Sequence, residues 1–498
     1  METVVSPVPL YACLVSLLAV IPIVTFGRRP DVRESFTFFA GAIKLALVLA
    51  MVPVVLKGKV IEFTLVEEIV KGVPIQFRVD GLGVMFALVA SSLWILTSLY
   101  SIGYMRGAKE QSQTRFFAFF AVSLSATLGV AFAANLFTLY LFYEMLSLAT
   151  YPLVTHHQDK EARSGGRTYL TYLLSTSIGF VLPAMLYCYW KSGGNMDFST
   201  GGFMAEKIGP TEAGFLLLLF VFGFAKSGIM PFHSWLPNAM VAPTPVSALL
   251  HAVAVVKVGV FCTIRVFTGV FGTDFLQTMD ITVIVSWIAG FTVLVSSLIA
   301  LTQDNLKRRL AFSTIGQLSY IILGVSFLSA NGVIGSSMHI AMHAVGKITL
   351  FFCAGAIYIA TGKKYVSQLS GIGRRMPYTM TAFTIGSLSI IGLPPLCGAW
   401  SKWFLFLGGM DAGQYALVGI LIVSSLLNIA YLIPIVIKAF FEQPSAEDKT
   451  DGIAEAPLAC VVPLCCTALF CIALFLFPGF LHSLATLITS NNPFVLRP

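Results

Sequence analysis

Phe224-Ala-Lys226-Ser-Gly228-Ile-Met-Pro231-Phe-His233-Ser-Trp235-Leu-Pro237 closes an apolar run that begins near residue 212. A lysine deep inside such a run costs about 2.5–3.5 kcal/mol on membrane-insertion scales, so its retention implies a use. Gly228 and Pro231 interrupt the helix directly after it, because proline lacks an amide hydrogen and clashes with the preceding turn. At membrane depth a broken helix is tolerated only where it is buried in protein or lines a water-filled cavity. A second interruption, Ile391-Gly392-Leu-Pro394-Pro395-Leu-Cys-Gly398-Ala-Trp400-Ser-Lys402, repeats the combination of Gly, Pro, Trp and a nearby lysine. Paired interrupted helices in two halves of a chain point to inverted repeats around an ion path. Packing kinks are the competing explanation, and they account for one break better than for two that carry lysines.

Working outward, the whole chain reads as membrane-embedded. Of 498 residues 57% are hydrophobic and only 11% charged, less than half the globular share of about 25%. A spanning helix needs roughly 20 apolar residues, and the sequence divides into about fourteen such spans. The linkers are short, and the stretch from Lys57 to Asp80 is one expected soluble excursion. A soluble enzyme of this size would need more polar surface than the chain supplies. The net charge of +8 does not signal nucleic acid, because the basic residues are scattered through short linkers rather than gathered in a stripe. The nine cysteines all lie in apolar stretches. None forms a C-x2-C pair, which speaks against zinc or an iron–sulfur cluster held by this chain. The first apolar segment, Pro7 to Phe26, has no basic residue before it and Arg28 and Arg29 after it. That is the reverse of a secretory signal, so a retained span is expected.

When the linkers are numbered alternately, seventeen Lys and Arg fall on one side, from Arg28 through Arg106, Lys160, Lys307 and Lys363 to Lys449. Seven fall on the other, including Lys57, Lys71, Arg78, Lys191 and Arg497. The richer side is expected to be cytoplasmic, with both termini outside. The remaining seven cations lie within spans; Lys44, Arg265 and Lys438 stand near span ends and are expected to snorkel.

Among the acids only Glu144 falls at the middle of a span. An unpaired carboxylate there would take up a proton, whereas a lysine partner keeps it charged and has its own proton affinity tuned in return. A helix–helix staple is the bland alternative. Lys257 lies in a further span, and His339, His343 and Lys347 recur every four residues on one helical face. Two histidines four apart can bind a metal, yet no carboxylate or thiolate completes a ligand set and the adjacent ammonium repels a cation; no metal is assigned. A relay suits histidine, whose protonation changes near physiological pH, and satisfied core histidines are the remaining alternative. Hydroxyl and amide groups at Ser147, Ser227, Thr244, Ser247, Thr314, Gln317, Ser319 and Thr349 lie between these points. The series Glu144, Lys226, Lys257, Lys347, Lys402 predicts a lateral polar row at mid-membrane.

At these residues the chain resembles the antiporter-like superfamily. Its members are the large proton-pumping subunits of respiratory complex I, the large subunits of Mrp-type multisubunit Na+/H+ antiporters, and membrane subunits of energy-converting hydrogenases. The resemblance runs from about Asp80 to Lys438. It rests on Tyr100-Ser-Ile-Gly-Tyr-Met105, the Glu144 helix, the Lys226–Pro237 break, Pro243-Thr-Pro-Val-Ser-Ala-Leu-Leu-His251, the loop Gln303-Asp304 to Lys307-Arg-Arg, and Gly392-Leu-Pro-Pro to Lys402. It implies an all-α polytopic membrane fold of about fourteen helices in two inverted five-helix repeats, with helices 7 and 12 broken at Gly228, Pro231, Pro394 and Pro395. The corresponding division is 1–114, 115–270, 271–441 and 442–498.

The resemblance also implies proton transfer through Glu144 paired with Lys226, then the central Lys257 and the terminal Lys402. His251, His339, His343 and Lys347 are relay candidates. Lysine at position 402 is closer to the D-type large subunit of Mrp antiporters and its hydrogenase relatives, while His251 resembles the largest complex I subunit.

The expected function is therefore a proton-translocating subunit of a multisubunit complex, with Na+ as an ion that it could exchange. The expected partners are other hydrophobic antiporter-like and small membrane subunits, within a bilayer expected to be the prokaryotic cytoplasmic membrane. No cofactor is expected on this chain, since it has no nucleotide loop or cluster-ligand set. Flavin and iron–sulfur clusters would belong to partner subunits of a redox-driven host. Two other readings stand beside this one: a stand-alone secondary transporter of an anionic solute, and a scaffold without transport.

Overall fold

Side-chain caps and prolines set where the helices begin. Asp80, Asn135, Asp159, Asn305 and Ser329 each accept a hydrogen bond from the backbone N–H three residues on, at 2.7–3.1 Å, satisfying one of the donors that a helix start leaves over. Pro30, Pro210 and Pro377 stand in first turns, where a missing N–H costs nothing.

The computed structural model describes residues 2–444 and 452–489, except the side chain of residue 251. Lys449, Arg497 and the His251 side chain therefore lie outside the described residues. The fold is 76% helical. In chain order it comprises β1 (Thr3–Val5), α1 (Val8–Leu18), α2 (Val20–Thr25), α3 (Pro30–Leu56), β2 (Val60–Val70), β3 (Val73–Val79), α4 (Gly81–Gly107), α5 (Gln113–Ala131), α6 (Leu136–Val154), α7 (Lys160–Thr176) and α8 (Leu182–Ser192). There follow α9 (Pro210–Gly223), α10 (Trp235–Asn238), α11 (Thr244–Ala248), α12 (Val255–Arg265), α13 (Thr273–Gln277), α14 (Ile281–Thr302), α15 (Leu306–Ser326) and α16 (Ala330–Thr361). The chain ends with α17 (Ile372–Arg375), α18 (Pro377–Ile391), α19 (Gly398–Asp411), α20 (Tyr415–Phe441), α21 (Leu458–Leu476) and α22 (Gly479–Thr489). Among the described residues nine helical stretches are long and apolar enough to cross a membrane.

Both expected interruptions are present. Between α9 and α10 a short 3-10 turn, Ala225–Ser227, ends at Gly228 with φ +70°. Between α18 and α19 the chain leaves the helix at Gly392 with φ +92°, a left-handed conformation that favours glycine. A π-helical turn, Leu249–Val253, separates α11 from α12, and a second, Val266–Phe271, follows α12.

The 57–80 linker, expected only as a soluble excursion, folds as a hairpin. β2 pairs antiparallel with β3, and β1 adds to β2 in parallel. The alternation in Val73-Pro-Ile-Gln-Phe-Arg-Val79 and the Lys71-Gly72 turn carry that signal. The long helix α16 lies at the centre, against α4, α15, α18, α19 and α21, which buries His339, His343 and Lys347.

Two of the three cations expected to snorkel do not. Lys44 is fully buried and donates to Ser16 Oγ at 2.6 Å and to the Leu124 carbonyl at 3.1 Å. Arg265 is buried and paired with Asp80. Tertiary partners close at hand hold each head in place. Lys438 remains part-exposed, 3.8 Å from Glu442.

Candidate functional site

The break after α9 sets Lys226 on a three-residue turn rather than a helix, and three contacts fix that turn and the chain that follows it. Trp235 Nε1 donates to the Ala225 carbonyl at 3.0 Å. Thr292 Oγ1 accepts from the Met230 amide at 3.3 Å. Gly259 of α12 lies directly on the turn: a Cβ there would stand 2.2 Å from the Ser227 backbone nitrogen. Backbone cannot yield as a flexible side chain would, so Gly259→Val is expected to cost about 1–3 kcal/mol by overpacking. A lowered unfolding temperature of the purified protein checks this.

Lys226 is fully buried. Its Nζ donates to the Tyr143 carbonyl at 2.8 Å and to Ser147 Oγ at 2.6 Å, and lies 3.0 Å from the centroid of the Tyr143 ring. The expected direct ion pair with Glu144 does not form: among the described residues no salt bridge joins the two. Successive helical residues point about 100° apart, so Tyr143 and Ser147 of α6 take the lysine. Glu144 turns toward the face shared with exposed Leu141 and Leu148. Glu144 Oε1 is nevertheless buried and lacks a hydrogen-bond partner.

Lys257, on α12, is also fully buried, and its Nζ lies 2.6 Å from His343 Nδ1. Two donors cannot face each other at that distance. Either the ammonium donates to an unprotonated Nδ1, or Nδ1–H donates to the free amine. The contact is thus a pair across which a proton can pass. The His343 ring stacks on His339 with centroids 5.6 Å apart. His339 in turn lies 2.8 Å from Ser401 Oγ through Nδ1 and 3.1 Å from Gln317 Oε1 through Nε2. An amide oxygen only accepts, so Nε2 carries the hydrogen and Nδ1 of the neutral ring accepts from Ser401.

Ser401 neighbours Lys402, whose Nζ donates to the Ile391 carbonyl at 3.0 Å and to Ser425 Oγ at 3.2 Å and lies over the Tyr320 ring at 4.9 Å. Tyr320 also stacks on His339, 5.9 Å between centroids. Lys347 opens a branch toward α20. Its Nζ donates to Ser313 Oγ at 2.8 Å, and Tyr431 Oη lies 2.7 Å from that oxygen and 2.5 Å from Asn428 Oδ1. The phenol has one proton and the amide oxygen none, so Tyr431 donates to Asn428 and receives from Ser313.

The structure therefore brings Lys257, His343, His339 and Lys402 into one chain of side-chain neighbours, with Lys347 on a branch and Lys226 on the far side of the Gly259 contact. Gly228, Pro231, Pro394 and Pro395 flank the two lysine-bearing breaks. Sequence reasoning missed Tyr143, Ser313, Tyr320, Ser401, Ser425, Asn428 and Tyr431. For α20 a signal existed: Ser424 or Ser425, Asn428 and Tyr431 recur at helical spacing in an otherwise apolar segment. No group of three or more His, Cys, Asp or Glu able to hold a metal occurs among the described residues.

Two cavities lie at opposite ends of the stretch containing Lys257. One of 420 Å³ is lined by Thr244 together with Glu110, His157, Lys307, Lys363 and Lys364. There Glu110 is 3.0 Å from His157 Nε2. Burial alone would raise the Glu110 carboxyl, but His157 outweighs it and holds it below the usual range. The hydrogen bond to Glu110 raises the His157 imidazole. The other cavity, of 340 Å³, is lined by Arg265 and Asp80.

Known proteins are similar to this chain in sequence and in fold. A family described as "NADH:quinone oxidoreductase/Mrp antiporter, TM" matches residues 133–428, and one described as "NADH-Ubiquinone oxidoreductase (complex I), chain 5 N-terminus" matches residues 71–117. The chain is 32% identical over 456 residues to the N subunit of NADH-quinone oxidoreductase from Desulforudis audaxviator, covering 86% of this chain and 87% of that one. It is 30% identical over 476 residues to the A/B subunit of a probable K(+)/H(+) antiporter from Rhizobium meliloti, covering 91% of this chain but only 46% of the relative. In fold it is similar to a chain of the Mrp complex from Dietzia sp. (TM-score 0.83, 21% identity, 97% of this chain and 98% of that one). A chain of an archaeal membrane-bound sulfane sulfur reductase is likewise similar (TM-score 0.86, 23% identity, 98% of each). With a family match spanning more than half its length and apolar helices throughout, this integral membrane protein belongs to the NADH:quinone oxidoreductase/Mrp antiporter transmembrane family.

Proposed function

We propose that the chain is a proton-translocating subunit of a multisubunit membrane complex, carrying protons along Glu144, Lys226, Lys257, His343, His339 and Lys402. The single observation that carries this reading is the 2.6 Å contact between Lys257 Nζ and His343 Nδ1. It joins two buried basic groups that cannot both hold the proton between them, and it links α12, which packs on the first break, to α16, which packs on α19 beyond the second. Buried hydroxyls without partners, Ser227 Oγ and Ser319 Oγ, suit water that would extend the path, since buried polar groups otherwise go unsatisfied.

In this reading the chain makes fourteen passes, and the two broken helices belong to inverted repeats at 115–270 and 271–441. The family and the relatives' names support a host with further membrane subunits. Redox groups such as flavin and iron–sulfur clusters, where the host has them, would sit in those other subunits. The bilayer would be a prokaryotic cytoplasmic membrane, with both termini outside and the Lys307-lined cavity on the cytoplasmic side. Na+ would enter as an exchanged ion.

The test is reconstitution of the purified complex in sealed vesicles. Driving it by its redox reaction or by an imposed ion gradient should move protons across the membrane, read by a pH-sensitive dye and collapsed by a protonophore. Turnover of the driving reaction without any pH change would overturn the proposal. Flavin and iron–sulfur absorbance in the preparation would assign a redox host, and a colourless complex responding to Na+ an antiporter.

A further inference from the structure

The Lys257 helix has an unusual lower end. Lys257, Phe261 and Arg265 recur every four residues along one unbroken face of α12, and eight residues of helix rise about 12 Å. Arg265 ends the helix and lies over the Phe261 ring, 5.1 Å from its centroid, while Phe261 packs at 5.2 Å on Phe86 of α4. The Arg265 guanidinium makes a two-pronged pair with Asp80, at 2.5 and 2.7 Å, and Asp80 is itself anchored as the cap of α4, accepting from the Gly83 amide.

Beyond this pair lies the 340 Å³ cavity, whose wall includes Glu62, Arg78, Ser199 and Thr268. Its rim is built rather than incidental. Arg78 bonds Glu62 at 2.5 Å and the Phe198 carbonyl at 2.8 Å. The loop after α8 donates to carbonyls of the π turn from the Ser199, Phe203 and Met204 amides at 2.9–3.3 Å. Asp80 opens α4 at this rim; burial would raise its carboxyl, yet the Arg265 guanidinium prevails and keeps it below the ordinary range.

We infer that this cavity is a water-filled port to Lys257 on the sheet side of the membrane, closed by a two-layer gate. Phe261 is the plug, and the Arg265–Asp80 ion pair seated against its ring is a polar cap whose two charges cancel. The inference rests on the reading of Lys257 as a proton carrier and adds a direct exchange of that lysine with one surface, separate from transfer along the row. An apolar constriction that water does not wet is a physically sufficient barrier to protons.

The test uses native membrane vesicles containing the assembled complex, its subunit content checked by co-purification. Phe261→Ala should raise passive proton leak by about ten-fold, equivalent to roughly 1.4 kcal/mol off the barrier, and Phe261→Ala combined with Lys257→Met should return it to the wild-type rate. Thr268→Cys, on the cavity wall, should react with a membrane-impermeant maleimide added from the sheet side. A tight Phe261→Ala complex, a leak that survives loss of Lys257, or an unreactive Thr268→Cys would each overturn the port. Should Lys257→Met stop pumping while Phe261→Ala stays tight, only the port fails; should Lys257→Met pump normally, the row itself fails.

Discussion

Lys226→Met is expected to cut proton pumping by about 100-fold or more, the scale on which a positioned acid–base group acts, in a complex that still assembles. Lys226 Nζ is buried and its two hydrogen-bond acceptors, the Tyr143 carbonyl and Ser147 Oγ, carry no charge, so no neighbour takes over a proton when the amine is gone. Methionine has a similar length and fills the same space above the Tyr143 ring. Replacing a buried charge by an apolar side chain of like volume is commonly neutral or stabilising, so the turn around Ala225–Ser227 should survive. Pumping is read in driven vesicles and assembly by the subunit content of the purified complex. Glu144→Ala belongs to the same test. Because Glu144 makes no salt bridge to Lys226, its loss should leave the Lys226 turn intact while still stopping transport. Normal pumping by either assembled variant would remove that residue from the path.

The second large effect is expected where α12 meets α16. Lys257→Met removes one member of the Lys257–His343 pair, and with it the direct contact from α12 to the histidine face of α16 that the geometry provides for a proton. Pumping should fall by about 100-fold, and thermal stability should hold or rise, because an apolar side chain of similar length takes the place of a buried basic group. His343→Ala should reduce pumping in the same direction while leaving Lys257 in place. If Lys257→Met abolished pumping only by preventing assembly, the subunit content would fall with it, which separates a packing role from a proton-carrying one. A pumping, fully assembled Lys257→Met complex would show that protons reach the α16 histidines by another route.

Much of this is legible in the residues. Gly228 with Pro231 and Gly392 with Pro394 mark the two breaks, because a glycine at positive φ followed closely by a proline without an amide hydrogen ends the helix, whereas Pro53, Pro152, Pro434 and Pro463, without such a glycine, lie inside helices. The spacing of His339, His343 and Lys347 places them on one face of one helix without any knowledge of what faces them. The β hairpin at 60–79 is legible too, but its alternation is faint in a chain dominated by longer apolar runs.

Other features depend on partners far away in sequence. Lys44 reads as a lysine near a span end and becomes a fully buried group because Ser16 and the Leu124 carbonyl happen to meet it. Arg265 likewise stays inside because Asp80, 185 positions earlier, reaches it.

Composition and local pattern alone thus determined that the chain lives in a bilayer, where its two lysine-bearing helices break, and which ionisable groups are sunk among apolar ones. Those properties depend on the energy of each segment in its surroundings, and a segment carries that information with it. Tertiary structure alone decided that Lys226 meets Tyr143 and Ser147 rather than Glu144, that Lys257 meets His343, and that Lys402 reaches the histidines through Tyr320 and Ser401. Hydrogen bonds act over about 3 Å and depend on direction, so they are set by how helices rotate and pack against one another. Residues next to each other in the chain, such as Tyr143 and Glu144, point different ways and meet different neighbours.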